Sequence, residues 1–144
     1  MKANARTKAA ILKTLKKMWD MYALKDVEKV MSYYLPGPDL FVLGSGPDEK
    51  YIGPKRARAG LKRDFTQASQ VKVTLANVHV SAAGRIAWLA SDCTFYAKAN
   101  SHRVSMTGRL TCVFEKRGKR WLIAQSHFSM PCTEQAPGQS FPIK

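Results

Sequence analysis

Residues 109–131 constrain the fold most, because they have the pattern of an antiparallel β-hairpin. Two runs rich in β-branched and aromatic residues, 109–114 and 121–130, flank a short charged turn that contains Gly118. A glycine-containing turn of a few residues between two such runs is typical of hairpins. Large apolar side chains fall on both faces of the second run, which indicates a strand that is covered on both sides.

Alternation along the second run predicts which of its side chains share a face. His127 and Ser129 fall on the same face as Trp121 and Ile123, because successive strand residues point to opposite sides. We therefore expect His127 and Ser129 to face an enclosed space. The opposite face is apolar and predicts a sheet-to-sheet homodimer. Its members are Leu122, Ala124, Phe128 and Met130.

The remaining patterns predict helices first and strands last, which is an α+β arrangement. Helical spacing of apolar residues indicates a helix capped by Thr7, a second capped by Asp26 and a third that begins near Pro54 and runs to about residue 67. Predicted strands cover 40–43, 71–80, 86–98, 104–115 and 121–130. We expect one domain over 1–131 and an irregular tail over 132–144.

Composition excludes several classes of protein. A chain of 144 residues with 45% hydrophobic residues can bury one sizeable core but not two. No apolar run approaches the roughly 20 residues that span a bilayer, so no membrane span is expected and the cytoplasm is the default location. The cysteines Cys93, Cys112 and Cys132 lack the spacing of metal ligands, so we expect no metal site.

The formal charge of +14 favours anionic partners in general. Its carriers are spread over the first helix, residues 55–63 and the hairpin turn 116–120. No aromatic platform or groove-reading helix accompanies them, so specific nucleic acid binding is not expected. The alternative is that these lysine and arginine side chains only form solvent-exposed faces of a basic protein.

Polar residues on inward-facing strand positions are the candidates for chemistry. Asp92 lies between Trp88 and Tyr96 on one face of the strand 86–98. An enclosed carboxylate there would have a raised pKa, useful to a general base, unless Arg109 pairs with it. The alternative is a structural ion pair that joins adjacent strands.

Arg109 lies in the middle of a predicted strand, where an unpaired buried charge costs several kcal/mol. Its partner is therefore either Asp92 or an anionic group of a ligand. His127 is near enough in the pattern to take part in proton transfer, although a strand histidine is often a satisfied structural residue. Ser129 lacks the surroundings of a nucleophilic serine.

This pattern resembles the SnoaL-like branch of the nuclear transport factor two-like superfamily. The residues that carry this resemblance are Trp121, His127, Ser129 and Pro131 on the second strand of the hairpin, and Arg109 and Thr111 on the first. The resemblance extends through residues 26–34, 52–56 and the strand around Trp88, and covers most of 7–131. It implies a cone-shaped, curved antiparallel sheet wrapped around three N-terminal helices, a cystatin-like roll with a ligand pocket at its wide end.

The resemblance also implies a function class. Members include cofactor-free isomerases and cyclases that remove a proton beside a carbonyl, and non-catalytic association domains. Here Asp92 or His127 would be the catalytic base. Ligand contacts would come from Arg109, Trp88, Tyr96, Thr111, Ile123 and Ser129. We therefore expect a domain that binds a small organic ligand, anionic ligands included. The candidate activities are those of an isomerase, a cyclase or a hydrolase. The alternative is a non-catalytic oligomerisation module.

Overall fold

The described part of the chain, residues 1–143 of a computed structural model, forms three helices and one six-stranded sheet. The helices are α1 (Ala5–Ala23), α2 (Val27–Met31) and α3 (Pro54–Gln67). The strands are β1 (Phe41–Leu43), β2 (Lys50–Ile52), β3 (Ser69–Ala83), β4 (Ile86–Ala99), β5 (His102–Arg117) and β6 (Arg120–Ser129). The predicted α+β class is confirmed.

The helices follow the apolar spacing of the sequence. In α1, Ile11, Leu15 and Met18 are buried on one face. The helix starts one turn before the predicted position, because the side chain of Asn4, not Thr7, is the cap and accepts a hydrogen bond from the Thr7 amide at 2.8 Å.

The two shorter helices have the predicted starting points. Asp26 caps α2 by accepting from the Lys29 amide at 3.0 Å. Pro54 occupies the first turn of α3, where its missing N–H has no intrahelical partner to lose. Ala57 and Leu61 are buried, as their spacing predicts.

The sheet has the strand order β2-β1-β6-β5-β4-β3 and curls without closing. All neighbouring pairs are antiparallel except β1 with β6, which is parallel. The sheet is therefore mixed at one edge, where a purely antiparallel sheet was expected. Strand β2 was not predicted, because its three residues carry too little apolar pattern to distinguish them from the adjoining loop.

The core lies between the helices and the concave face of the sheet. Its largest buried side chains include Ile11, Leu15, Leu110, Phe114 and Ile123. Two of the three cysteines also lie there, and burial raises the pKa of the Cys93 thiol to about 11 and that of Cys112 to about 12. These thiols therefore stay protonated at neutral pH.

A β-bulge in β6 reverses the predicted facing of its second half. Val113 pairs with Gln125 but Phe114 pairs with Ile123, so β6 has one extra residue at this point. Beyond the bulge, Phe128 faces inward and is only 7% exposed, while His127 is exposed on the opposite side. The predicted apolar dimer surface containing Phe128 is therefore wrong.

Residues 130–143 contain turns and bends but no helix or strand. The final residue of the predicted tail, 144, lies outside the described residues. The division into a domain over 1–131 and a tail stays a prediction. None of the described helices combines the length and the apolar character needed to cross a membrane.

Candidate functional site

A cavity of about 380 Å³ lies between the concave sheet face and helices α1 and α3. Its walls are mostly apolar and include six aromatic side chains from α1, the segment after α2, strand β2 and strands β4 and β6. These are Trp19, Tyr22, Tyr34, Tyr51, Phe95 and Phe128. The volume falls in the range of small-molecule sites, which are concave and lined chiefly by apolar and aromatic groups.

The chemistry of this cavity centres on a carboxylate and a phenol from two different helices. Tyr22 Oη donates a hydrogen bond to Asp64 Oδ2 at 2.8 Å. Tyr22 follows the buried Met18 by one turn of α1, and Asp64 follows Leu61 by nearly one turn of α3. Both polar side chains therefore lie on the apolar faces of their helices, and the packing of α1 and α3 brings them together.

Burial sets the protonation of this pair. Desolvation raises the pKa of Asp64 above the usual carboxyl value, and the hydrogen bond from Tyr22 opposes part of that rise. Desolvation, together with the charge of Asp64, raises the pKa of Tyr22 as well. Tyr22 consequently remains the donor, and Asp64 is the group that titrates.

The second acidic side chain of the cavity, Glu49, already has an ion-pair partner, Arg63, which it shares with Asp48. Arg63 contacts Asp48 Oδ2 through Nη1 at 2.6 Å and Glu49 Oε1 through Nη2 at 3.1 Å. Glu49 Oε2 also accepts from the Gly46 amide at 2.6 Å. Among the described lining residues, Asp64 is thus the carboxylate without an ion-pair partner.

Two residues that line the cavity each have a fully buried donor atom that makes no hydrogen bond to any described residue. The donor atoms are Trp19 Nε1 and Tyr51 Oη. The Tyr51 ring packs directly on α3 at Gly60, where an added Cβ would lie 2.6 Å from ring carbons. The described residues that line the cavity include no lysine, arginine or histidine.

Five aromatic rings connect the helices to the sheet around the cavity. They form a continuous series of edge-to-face contacts with centroid distances of 4.7–5.4 Å. In order, the rings are Phe65, Tyr22, Trp19, Phe95 and Phe128. This aromatic series joins α3 and α1 to strands β4 and β6.

Most of the residues predicted from the strands come together, but on the convex face of the sheet. Asp92, Arg109 and Ser129 pair across β4, β5 and β6 in one row, and Thr111 pairs with His127 in the next. Trp88 and Tyr96 share this face of β4. Ile123 differs, because it lies before the bulge and keeps its predicted inward orientation; it is fully buried in the core and is not part of the cavity wall.

The expectation that these convex-face residues surround an enclosed pocket is wrong. Asp92 is exposed and accepts a hydrogen bond from Asn77 Nδ2 at 2.6 Å. Within residues 1–143, no ion pair joins it to Arg109, which is also exposed. Their catalytic and ligand-binding roles stay untested predictions, now without an enclosing cavity.

Comparison with protein families gives one match that covers most of the chain. A family model for the SnoaL-like domain matches residues 11–133. No curated protein matches the sequence.

Solved structures of similar fold come from several bacteria. A nuclear transport factor 2-like superfamily protein from Salmonella enterica serovar Typhimurium is 19% identical, with a TM-score of 0.82 over 96% of this chain and 100% of that one. A proposed calcium/calmodulin-dependent protein kinase II association domain from Xanthomonas campestris is 24% identical, with a TM-score of 0.76 over 91% and 90%.

A proposed dehydratase from Streptomyces avermitilis is 15% identical, with a TM-score of 0.76 over 87% of this chain and 97% of that one. At these identities the likeness concerns the fold alone.

Proposed function

Because the chain belongs to the SnoaL-like domain family, we propose that its inner cavity binds a small organic molecule with a carbonyl group and moves a proton beside that carbonyl without a cofactor. One observation carries this proposal. A largely apolar cavity contains a single carboxylate, Asp64, that lacks an ion-pair partner among the described residues and is held by the phenol of Tyr22.

Asp64 is the proposed proton-transfer group. Its raised pKa brings it closer to the range in which a carboxylate both binds a proton and releases it near neutral pH. The ionised carboxylate takes a proton from the carbon beside the carbonyl, and the bonding pair moves into an enolate. Return of the proton to another atom of the ligand completes an isomerisation. Tyr22 positions the carboxylate through its hydrogen bond.

The test measures proton removal directly. The full chain is incubated with 2-acetylnaphthalene in D₂O, and NMR follows exchange of the methyl protons beside the carbonyl. We expect faster exchange than in buffer, and a loss of about 100-fold or more in the protein-dependent rate for Asp64→Asn.

Asp92→Asn is the matched control, because Asp92 is exposed on the convex face and should leave the rate unchanged. Exchange no faster than in buffer, or equal loss in the two variants, would contradict the proposed role of Asp64.

A homodimer is a second candidate function, and an apolar row on the convex face favours it. The row crosses β2, β1, β5 and β4 and consists of Ile52, Phe41, Val113 and Trp88 in successive register. Gln125 of β6 interrupts it. The similar domain from Xanthomonas campestris is itself described as an association domain, and sheet faces with apolar stripes suit two-fold pairing.

Sedimentation at micromolar concentration tests the homodimer. We expect a dimer that Phe41→Glu converts to monomer and that Leu24→Glu leaves intact, since Leu24 is exposed at the end of α1. A monomer of 16.1 kDa for the unaltered chain would reject this candidate.

Cytoplasmic location and the lack of sequence-specific nucleic acid binding remain predictions. Binding through scattered lysine and arginine side chains should be indifferent to sequence and weak at about 150 mM salt, because it depends on counterion release. Fluorescence anisotropy with single- and double-stranded probes checks this expectation. Cell fractionation checks the location.

A further inference from the structure

The inner cavity has the opposite charge to the rest of the chain. The sequence has 24 lysine and arginine residues and only 10 aspartate and glutamate residues. The described residues that line the cavity nevertheless include two acids, Glu49 and Asp64, and no lysine, arginine or histidine. Provided that the cavity is the ligand site proposed above, on which this inference rests, a ligand meets negative charge inside a strongly basic protein.

The carboxylates at the cavity outnumber their cationic partners. Arg63 is shared by Asp48 and Glu49 through contacts of 2.6 and 3.1 Å, and it also lies over the Tyr51 ring at 5.8 Å from the ring centre. Asp64 forms no ion pair with any described residue. Three carboxylates and one guanidinium leave an excess of negative charge here, which favours a cationic ligand.

Two polar atoms of the cavity wall are open to a ligand. Asp64 Oδ2 accepts a hydrogen bond from Tyr22, but Asp64 Oδ1 accepts none from a described residue. The Tyr34 hydroxyl also pairs with no described residue, although Tyr34 is only 7% exposed. Neither atom is among the fully buried side-chain atoms that lack a partner in the described part of the chain. Both atoms therefore keep surface that a bound molecule can reach.

Aromatic rings surround this negative charge. Six aromatic side chains line the cavity, and the face of such a ring attracts a cation within about 6 Å, most strongly where water is excluded. Burial raises the pKa of Tyr34, and the charge of Asp64 raises it further, so this phenol and the carboxylate lie in the same part of the cavity. Rings grouped around a cation are typical of sites for alkylated ammonium groups.

We propose that the cavity binds organic cations, namely amines in their protonated or alkylated form, and disfavours anions. Asp64 Oδ1 balances the positive charge, the Tyr34 hydroxyl oxygen faces the ammonium group, and the aromatic walls contact its carbon substituents. An ammonium group also suits the proposed reaction, because the described wall has no cation that could stabilise the enolate. In an amino ketone the carbon that loses the proton lies between the ammonium and the carbonyl, so the ligand itself supplies that charge.

Three probes of similar shape test the charge preference by calorimetry at pH 7. (4-Hydroxyphenyl)trimethylammonium is the cation, 4-tert-butylphenol is its neutral isostere, and 4-hydroxybenzenesulfonate is the anion. We expect the cation to bind about tenfold more tightly than the neutral probe, and the anion at least about tenfold more weakly than the neutral probe. Attraction to the surface of a chain with a formal charge of +14 would give the opposite order of the two ions.

Two variants that keep the shape of the wall assign the preference to individual residues. Asp64→Asn removes the charge, so it should weaken binding of the cation by about tenfold and leave binding of 4-tert-butylphenol within about twofold. Tyr34→Phe should weaken the cation by about fivefold, again with little change for the neutral probe. Asp92→Asn, on the exposed convex face, is the matched control and should change neither. If Asp64→Asn does not fold, Tyr34→Phe and the order of the three probes provide the test.

The outcomes separate this inference from the proposed function. Equal binding of the cation and 4-tert-butylphenol, or tighter binding of the sulfonate, would overturn the inference and leave the cavity as the ligand site. Equal loss of the cation and the neutral probe in Asp64→Asn would mean a change in packing and overturn the role of its charge. Failure of all three probes to bind would overturn the inference alone if proton exchange of 2-acetylnaphthalene still depends on Asp64, and the proposed ligand site as well if it does not.

Discussion

The two faces of the sheet differ in how their polar groups are surrounded. The convex face carries Asp92, Arg109 and His127 in adjacent rows, all of them exposed to solvent. The concave face is almost entirely apolar, and its cavity obtains a carboxylate from a helix instead. A cluster of polar residues in register is therefore weaker evidence for a site than one carboxylate on the apolar face of a helix, because only the latter is desolvated.

Truncation of one aromatic residue on each face should give the largest difference in stability between the two faces. Phe128→Ala removes a buried ring in contact with Phe95 and should lower the free energy of unfolding by about 3 kcal/mol. Tyr96→Ala removes a ring that is 46% exposed and should cost far less. Urea denaturation measures both. Similar losses would mean that the two faces are not distinguished by packing.

Adding one methyl group should perturb the cavity by a smaller amount. In Gly60→Ala the new Cβ would lie 2.6 Å from the Tyr51 ring, and such overpacking costs about 1–3 kcal/mol. Alanine recovers up to about 1 kcal/mol through its helix propensity, so we expect a net loss of about 1 kcal/mol in urea denaturation. Gly37→Ala meets no atom within 4 Å and should be nearly neutral. A stabilised Gly60→Ala would contradict the tight contact.

The titration of Asp64 should appear as a pH-dependent difference in stability. Because the folded-state pKa of Asp64 is raised above 3.8, its contribution is fully present below that value and is lost as pH rises through the folded pKa. The asparagine of Asp64→Asn does not titrate. The melting temperature of this variant minus that of the unaltered protein should therefore rise between about pH 3.5 and pH 7. A difference that is independent of pH, or that falls, would contradict burial of the ionised carboxylate.

The smallest effect is expected for the charge in the middle of β5. The interpretation of Arg109 as a buried cation predicts a loss of a few kcal/mol when it is removed. Arg109 is exposed and forms no ion pair with the described residues. Arg109→Met should therefore change the free energy of unfolding by no more than about 0.5 kcal/mol. A loss of several kcal/mol would restore the enclosed interpretation.

The sequence predicted most of the fold because its signals are local. Helical spacing identified α1 and α3, and alternating apolar residues identified the four long strands. It could not show that β1 joins β6 in parallel, since β1 has three residues and its pairing depends on distant chain segments. The extra residue in β6 was also invisible, because a bulge is defined by the partner strand.

The site was harder to predict than the fold. Beyond the bulge in β6, side chains point to the face opposite to the predicted one, so His127 and Ser129 lie on the convex side. The useful signal was present in α3, where Ala57, Leu61 and Asp64 follow one helical face. Asp64 was overlooked because α3 has many charged residues, and Tyr22 because a tyrosine in an apolar stripe usually belongs to the core.

The aromatic series from Phe65 to Phe128 has a kinetic consequence. Edge-to-face contacts hold α1 and α3 against β4 and β6 at fixed spacing, so the cavity is pre-formed. Entry of a ligand then requires little reorganisation of the core, and the entropy of ordering these rings is lost on folding, before any ligand arrives. Differences in affinity among ligands should consequently appear mainly in how fast they leave.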